Sequence, residues 1–198
     1  MTAFARPVLI LLALVAPLAS FQARAQETRV ALTPANAEIR FSIGVLGLFS
    51  MQGRFARFTG ELRQDASDTT RTRAAMLVDT ASIEAEGGGA NAAREADLLR
   101  TREFPTMSFR SLEVVRNANG DARLEGLLTL AGVTHPLSLH VQPTPAGGFA
   151  ASGELSRSAY GLASMRPLVS DRVALSVVVH PPQLAAATLT APTVAPSR

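Results

Sequence analysis

The sequence predicts an all-β, antiparallel fold, and three observations carry that reading. Apolar and polar residues alternate over short runs from residue 37 onward, turn chemistry separates the runs, and their spacing is nearly regular. A period of two turns one face of a strand to a core and the other to water. Many short strands of this kind build an antiparallel sandwich or barrel.

Residues 1–25 stand apart from the pattern. Arg6 makes a short basic start, residues 8–18 an apolar run, and Ala23-Arg24-Ala25 places small residues at the cleavage positions, the layout of a secretory signal. The run is too short to cross a bilayer, and no long apolar segment follows it. The expectation is an exported, soluble domain over residues 26–180, with no transmembrane segment once the signal is removed.

The strands follow in order. Ile39, Phe41, Ile43 and Val45 alternate with Glu38, Arg40, Ser42 and Gly44. Met76 and Val78 repeat the pattern, then Met107 and Phe109, then Leu124, Leu128 and Leu130. Leu137, Leu139 and Val141 alternate with Ser138, His140 and Gln142; Phe149, Ala151, Gly153 and Leu155 come next, and Val173, Leu175, Val177 and Val179 close the series. Asn117-Ala118-Asn119-Gly120 and Pro145-Ala146-Gly147-Gly148 are hairpin signals. One segment departs from strand periodicity: after Gly87-Gly88-Gly89, Ala92, Ala93, Ala96 and Leu99 recur at helical spacing with Asn91 as a cap, which predicts one short helix over 90–99. Residues 181–198 are rich in Ala, Pro and Thr, and a disordered tail is expected there.

Composition narrows the function. Cysteine is absent, so no disulfide supports the fold and the core must suffice. All 19 basic residues are arginine; two, Arg6 and Arg24, leave with the signal, so 17 face 16 acids. These charges are interspersed, whereas a nucleic-acid footprint needs clustered cations. The three histidines, His135, His140 and His180, lack the spacing of a metal site, which needs three or four converging ligands. No Gly-x-Ser-x-Gly elbow occurs. Asp79 with Ser82 reads as strand-end capping, Asp171 with Arg172 as surface pairing, and Glu84 with Glu86 as solvated carboxylates beside the glycine run. No catalytic constellation stands out, and the expectation is a protein without enzymatic activity, cofactor or metal.

The inward faces carry Phe, Met, Leu, Ile and Val. A barrel of about eight strands has an interior that side chains can fill or that can hold one small ligand, and periodicity leaves both open. A filled barrel would be a structural or interaction module. Within SRSAYG (156–161), Arg157 continues the inward parity of the preceding strand, and the only tyrosine, Tyr160, follows it. Arg157 either pairs with a carboxylate at the barrel end or faces the mouth of a cavity and meets a polar ligand head.

Five stretches together resemble the YceI-like family: FSIGVLGLFSMQGRFARFTGEL (41–62), ADLLRTREFPTMSF (96–109), GLLTLAGVTHPLSLHV (126–141), SRSAYGL (156–162) and SDRVALSVVV (170–179). The resemblance implies a lipocalin-like antiparallel barrel in the bacterial periplasm, with an elongated apolar cavity for an isoprenoid quinone, polyprenyl lipid or similar amphiphile as ligand. It implies a wall of Phe41, Ile43, Phe58, Met76, Val78, Met107, Phe109, Leu128, Leu139 and Val177, with Arg157 and Tyr160 nearer the head group. A homodimer is left open. Ala92-Ala93, Val45 and Leu98-Leu99 depart from the family pattern and imply fewer polar anchors.

Overall fold

A computed structural model describes residues 27–65, 68–85, 98–116 and 121–181. The expected signal segment, most of the predicted helix, the Asn117–Gly120 turn and nearly all of the expected tail lie outside the described residues.

The described chain is antiparallel β structure throughout, with only short 3-10 turns as helical elements. Eleven strands form it: β1 (Glu27–Leu32), β2 (Ala37–Val45), β3 (Phe49–Phe55), β4 (Phe58–Asp65), β5 (Arg73–Asp79), β6 (Ile83–Ala85), β7 (Thr106–Arg116), β8 (Ala122–Leu130), β9 (Val133–Pro143), β10 (Phe149–Ser156) and β11 (Val169–Val179). They make one sheet in the order β1-β4-β5-β7-β8-β9-β10-β11-β2-β3-β6. The count exceeds the expected eight because β1, β3, β4 and the three-residue β6 add to the apolar runs named above. β3 exposes Ser50, Gln52 and Arg54 and turns Met51, Gly53 and Phe55 to the more buried face, with Phe49 exposed at its start.

Two short connections curl this sheet. β1, at one end of the order, reaches β2, near the other, through residues 33–36, and β3 reaches β4 through residues 56–57. A chain spans at most about 3.6 Å per residue, so the two ends of the order must lie close together. Side chains secure both corners. Asn36 accepts from Thr33 N–H (2.8 Å) and donates to the Ala31 carbonyl (2.7 Å). Buried Ser82 accepts from Arg57 N–H (3.0 Å) and donates to the Asp79 carbonyl (2.6 Å).

The strand register turns the alternating apolar residues inward, where they form two separate clusters. Ile39, Phe41, Ile43, Phe55, Phe58 and Val78 belong to one, and Leu128, Leu130, Leu137, Leu139, Tyr160 and Leu162 to the other. Leu99, Met107 and Leu175 touch both. Between them the interior is not filled.

The β7–β8 ladder shifts register between Ser111 and Glu113. Buried Ser111 turns its hydroxyl to the Ala74 N–H at 2.7 Å, supplying an acceptor to a buried donor. Ser111→Ala strands that donor and is expected to lower stability by about 1–3 kcal/mol in urea unfolding.

Candidate functional site: an apolar cavity with one buried arginine

The space between the two clusters is a cavity of about 130 Å³. Its wall comes from strands on all sides of the sheet, and among the described residues Ser108 and Arg157 are its only polar members. A second chamber of about 250 Å³ lies toward the opposite end, among Leu62, Val114, Leu124, Val141 and Phe149. Met76, Phe109, Leu139 and Val177 line both chambers, so they form a shared waist. Several inward-facing residues, including Met76, Met107, Phe109, Leu175 and Val177, are only half-buried. They face unfilled space.

Glycines keep that space open. An added Cβ on Gly53 would stand 2.5 Å from the Phe41 ring, and one on Gly126 would stand 2.4 Å from the Phe109 ring. Each ring therefore lies along the sheet, over a neighbouring strand's bare backbone, instead of across the lumen. Gly60 beneath Met76 and Gly153 beneath Leu139 repeat the arrangement at the waist.

Among the described residues Arg157 is the one charged group on the wall, and it is 4% exposed. It ends β10 and begins the loop to β11, where its backbone N–H donates to the Asp171 carbonyl (2.8 Å) and its own carbonyl accepts from Tyr160 and Leu162 N–H (both 3.0 Å). Its Nη2 makes one long bond, 3.4 Å, to the Ser164 carbonyl, and Nη1 is buried with no hydrogen-bond partner. Burial lowers the guanidinium pKa from its ordinary value, while the Asp171 charge opposes that shift. No ion pair joins the two, because the Asp171 carboxylate accepts instead from Ser156 Oγ, from Ser158 N–H (2.9 Å) and from Ser158 Oγ (3.0 Å). Those bonds, the Ser156 hydroxyl foremost, bring the Asp171 pKa down to about 2.

Of the twelve residues expected to bind ligand, ten stand together on the wall: Phe41, Ile43, Met76, Val78, Met107, Phe109, Leu128, Leu139, Arg157 and Val177. The structure places the other two elsewhere. Phe58 is buried in the first cluster, just past the β3–β4 corner and off the wall. Tyr160 is 2% exposed and packs edge-on against His135, with ring centroids 5.2 Å apart, because the turn after Arg157 directs it away from the lumen. Ile39, Val173 and Leu175 share the inward parity of expected wall residues and were legible from it. Met51 and Phe55 share one parity of the run FSMQGRF and were legible from it, whereas Ile83 comes from a three-residue strand and Leu162 from a loop, where no periodic signal exists. His140 bonds Gln142 (2.9 Å) and lies 4.0 Å from Asp121, on the outer surface. No cluster of metal-ligating side chains occurs among the described residues.

The model of the YceI-like domain matches residues 31–180. A UPF0312 protein of Vibrio cholerae serotype O1 is 30% identical over 155 residues, covering 73% of this chain and 82% of that protein. A UPF0312 protein of Shewanella baltica is 30% identical over 156 residues, with 74% and 82% covered. Among solved structures, Burkholderia cenocepacia BcnA superposes with a TM-score of 0.63 at 20% identity, over 74% of this chain and 96% of that one. A polyisoprenoid binding domain from Saccharophagus degradans, implicated in plant cell wall breakdown, gives 0.53 at 15% identity, over 79% and 100%. At these identities the two structures speak for the fold.

Two outcomes follow from the geometry. Gly126→Ala forces Phe109 toward the lumen and crowds the Arg110 carbonyl, 2.7 Å from the new Cβ; a loss of about 1–3 kcal/mol is expected in urea unfolding. Asp171 has its folded pKa depressed below 3.8, so its stabilisation is complete above about pH 4 and is lost as pH falls toward 2. Thermal melts across that range should show an acid limb that Asp171→Asn flattens.

Proposed function

Because the chain belongs to the family of YceI-like domains, we propose that it holds an isoprenoid or related amphiphilic lipid inside its barrel, as an exported periplasmic carrier or reservoir and not as an enzyme. The observation that carries this reading is an apolar first cavity whose one charged lining residue among the described residues, Arg157, is buried with an unpartnered Nη1. A solved relative's description as a polyisoprenoid binding domain supports the same ligand class.

The energetics divide the work between chain and head. A buried methylene contributes about 0.8 kcal/mol, so a five-carbon isoprene unit supplies up to about 4 kcal/mol before ordering entropy is set against it. Affinity therefore comes from the chain, which runs past the waist of Met76, Phe109, Leu139 and Val177 into the second chamber. The head group supplies the acceptor that Arg157 Nη1 lacks, in the form of a carbonyl, carboxylate or phosphate oxygen. A quinone or polyprenyl lipid in this position is a ligand, not a cofactor.

Extraction of the purified protein with organic solvent, followed by mass spectrometry, should recover a prenyl or related lipid. A barrel that comes out empty and also takes up no prenyl lipid on incubation overturns the proposal. Arg157→Met should weaken binding of a head-bearing lipid about tenfold to a hundredfold and leave a headless prenyl hydrocarbon unaffected. The empty variant should be no less stable than the parent, since removing a desolvated charge costs little.

A further inference from the structure

Large apolar side chains stand exposed at one end of the barrel, on two adjoining loops. Leu46, Leu48 and Phe49 occupy the β2–β3 hairpin, Leu48 with 84% and Phe49 with 66% of its surface open, and Met165 and Leu168 occupy the loop before β11. The loops are joined, because Leu46 N–H donates to the Leu168 carbonyl (2.7 Å) and Val45 pairs with both Phe49 and Val169.

This is the Arg157 end of the cavity. The paired residues Ile43 and Met51 stand on the wall, and two residues further along the same hairpin come Val45 and Phe49. Ser164, whose carbonyl accepts from Arg157, immediately precedes Met165.

Leu46 (φ 55°) and Met165 (φ 62°) both adopt left-handed backbone. Glycine or asparagine would sit there with less strain and better solvation. Exposed Leu and Met at such positions have no local structural reason, which directs attention to what the side chains meet.

Charge selects the partner. Within residues 46–49 and 163–168 the single charged side chain is Arg166, which forms no ion pair among the described residues. Asp171, a carboxylate that feels its charge, is already engaged by Ser156 and Ser158. A second copy meeting this patch about a two-fold axis would bring Arg166 toward its own symmetry mate. An anionic lipid surface satisfies both parts of the tip, with acyl chains for the apolar residues and phosphates for the arginine.

We infer that this tip docks on a bilayer bearing anionic head groups and holds the Arg157 end of the cavity against it; the inference rests on the lipid-holding function proposed above. Vesicle co-sedimentation tests it, using phosphatidylcholine alone or mixed in equal parts with phosphatidylglycerol. The parent should bind the mixed vesicles more tightly. Leu48→Ser with Phe49→Ser should lower partitioning at least tenfold on both, and Arg166→Gln should lower it about fivefold on the mixed vesicles only. Unchanged thermal melts would establish that these variants fold.

Lipid content measured by extraction and mass spectrometry keeps the two proposals apart. A protein that carries lipid yet ignores vesicles refutes docking alone, whereas one that never acquires lipid refutes the cavity's function. Vesicle binding indifferent to the Leu48/Phe49 change also overturns docking. So does a parent that is dimeric by light scattering, becomes monomeric on that change and binds no vesicles.

Discussion

The barrel's capacity depends on its largest wall side chains lying along the sheet instead of reaching across the axis. Opposed residues on neighbouring strands have Cβ atoms only about 4.5–5.5 Å apart, so a ring can lie flat only where its neighbour is nearly bare. Gly53 provides this for Phe41 and Gly126 for Phe109. The resulting void has an energetic cost: at about 24 cal/mol per Å³, an empty 130 Å³ space amounts to roughly 3 kcal/mol. That is a substantial part of the stability of an ordinary domain. Glycine seats beneath three of the four waist residues show that the sequence maintains the opening.

Arg157, the one charged residue on the first cavity's wall among the described residues, would be expected to find a counter-ion, and a carboxylate, Asp171, lies near enough to act on it. Asp171 does not form the pair, because Ser156 and Ser158 already donate three hydrogen bonds to it. The consequence is a division between two neighbouring charges. The carboxylate is satisfied by its own loop, and the guanidinium is left with one long bond and an open donor. An arginine kept charged but incompletely solvated favours any incoming oxygen acceptor more strongly than an exposed arginine could.

The fold class was legible because β2, β9 and β11 alternate cleanly, and the same parity marked most of the cavity wall. What it could not show was whether inward residues meet across the axis, since Phe41 reads alike over a glycine or over a valine. That distinction required the strand register, which pairs Phe41 with Gly53. Arg157 was legible as inward by counting from Leu155, but the burial of Tyr160 in the second cluster instead of on the cavity wall was not, because a 3-10 turn breaks the strand parity after Arg157. The β3 run FSMQGRF puts Phe49, Met51 and Phe55 on one parity, yet only Met51 and Phe55 reach the wall, because Phe49 begins the strand at the barrel's end and stands in solvent.

The positions of Arg157 and the apolar tip at one end together constrain how a lipid would enter. A lipid in a bilayer keeps its head at the interface and its chain below. With the tip seated in that interface, Arg157 lies on the cavity side closest to the head groups. A chain swinging from the bilayer into the barrel then moves its head little, and the head arrives beside the open Nη1. The chain end would then pass the waist into the far chamber, away from the membrane. Entry head-first from the opposite end would instead drag a polar group past Met76, Phe109, Leu139 and Val177, none of which offers it a hydrogen bond. Desolvating a polar group with no compensating partner costs several kcal/mol, so the waist itself imposes the direction.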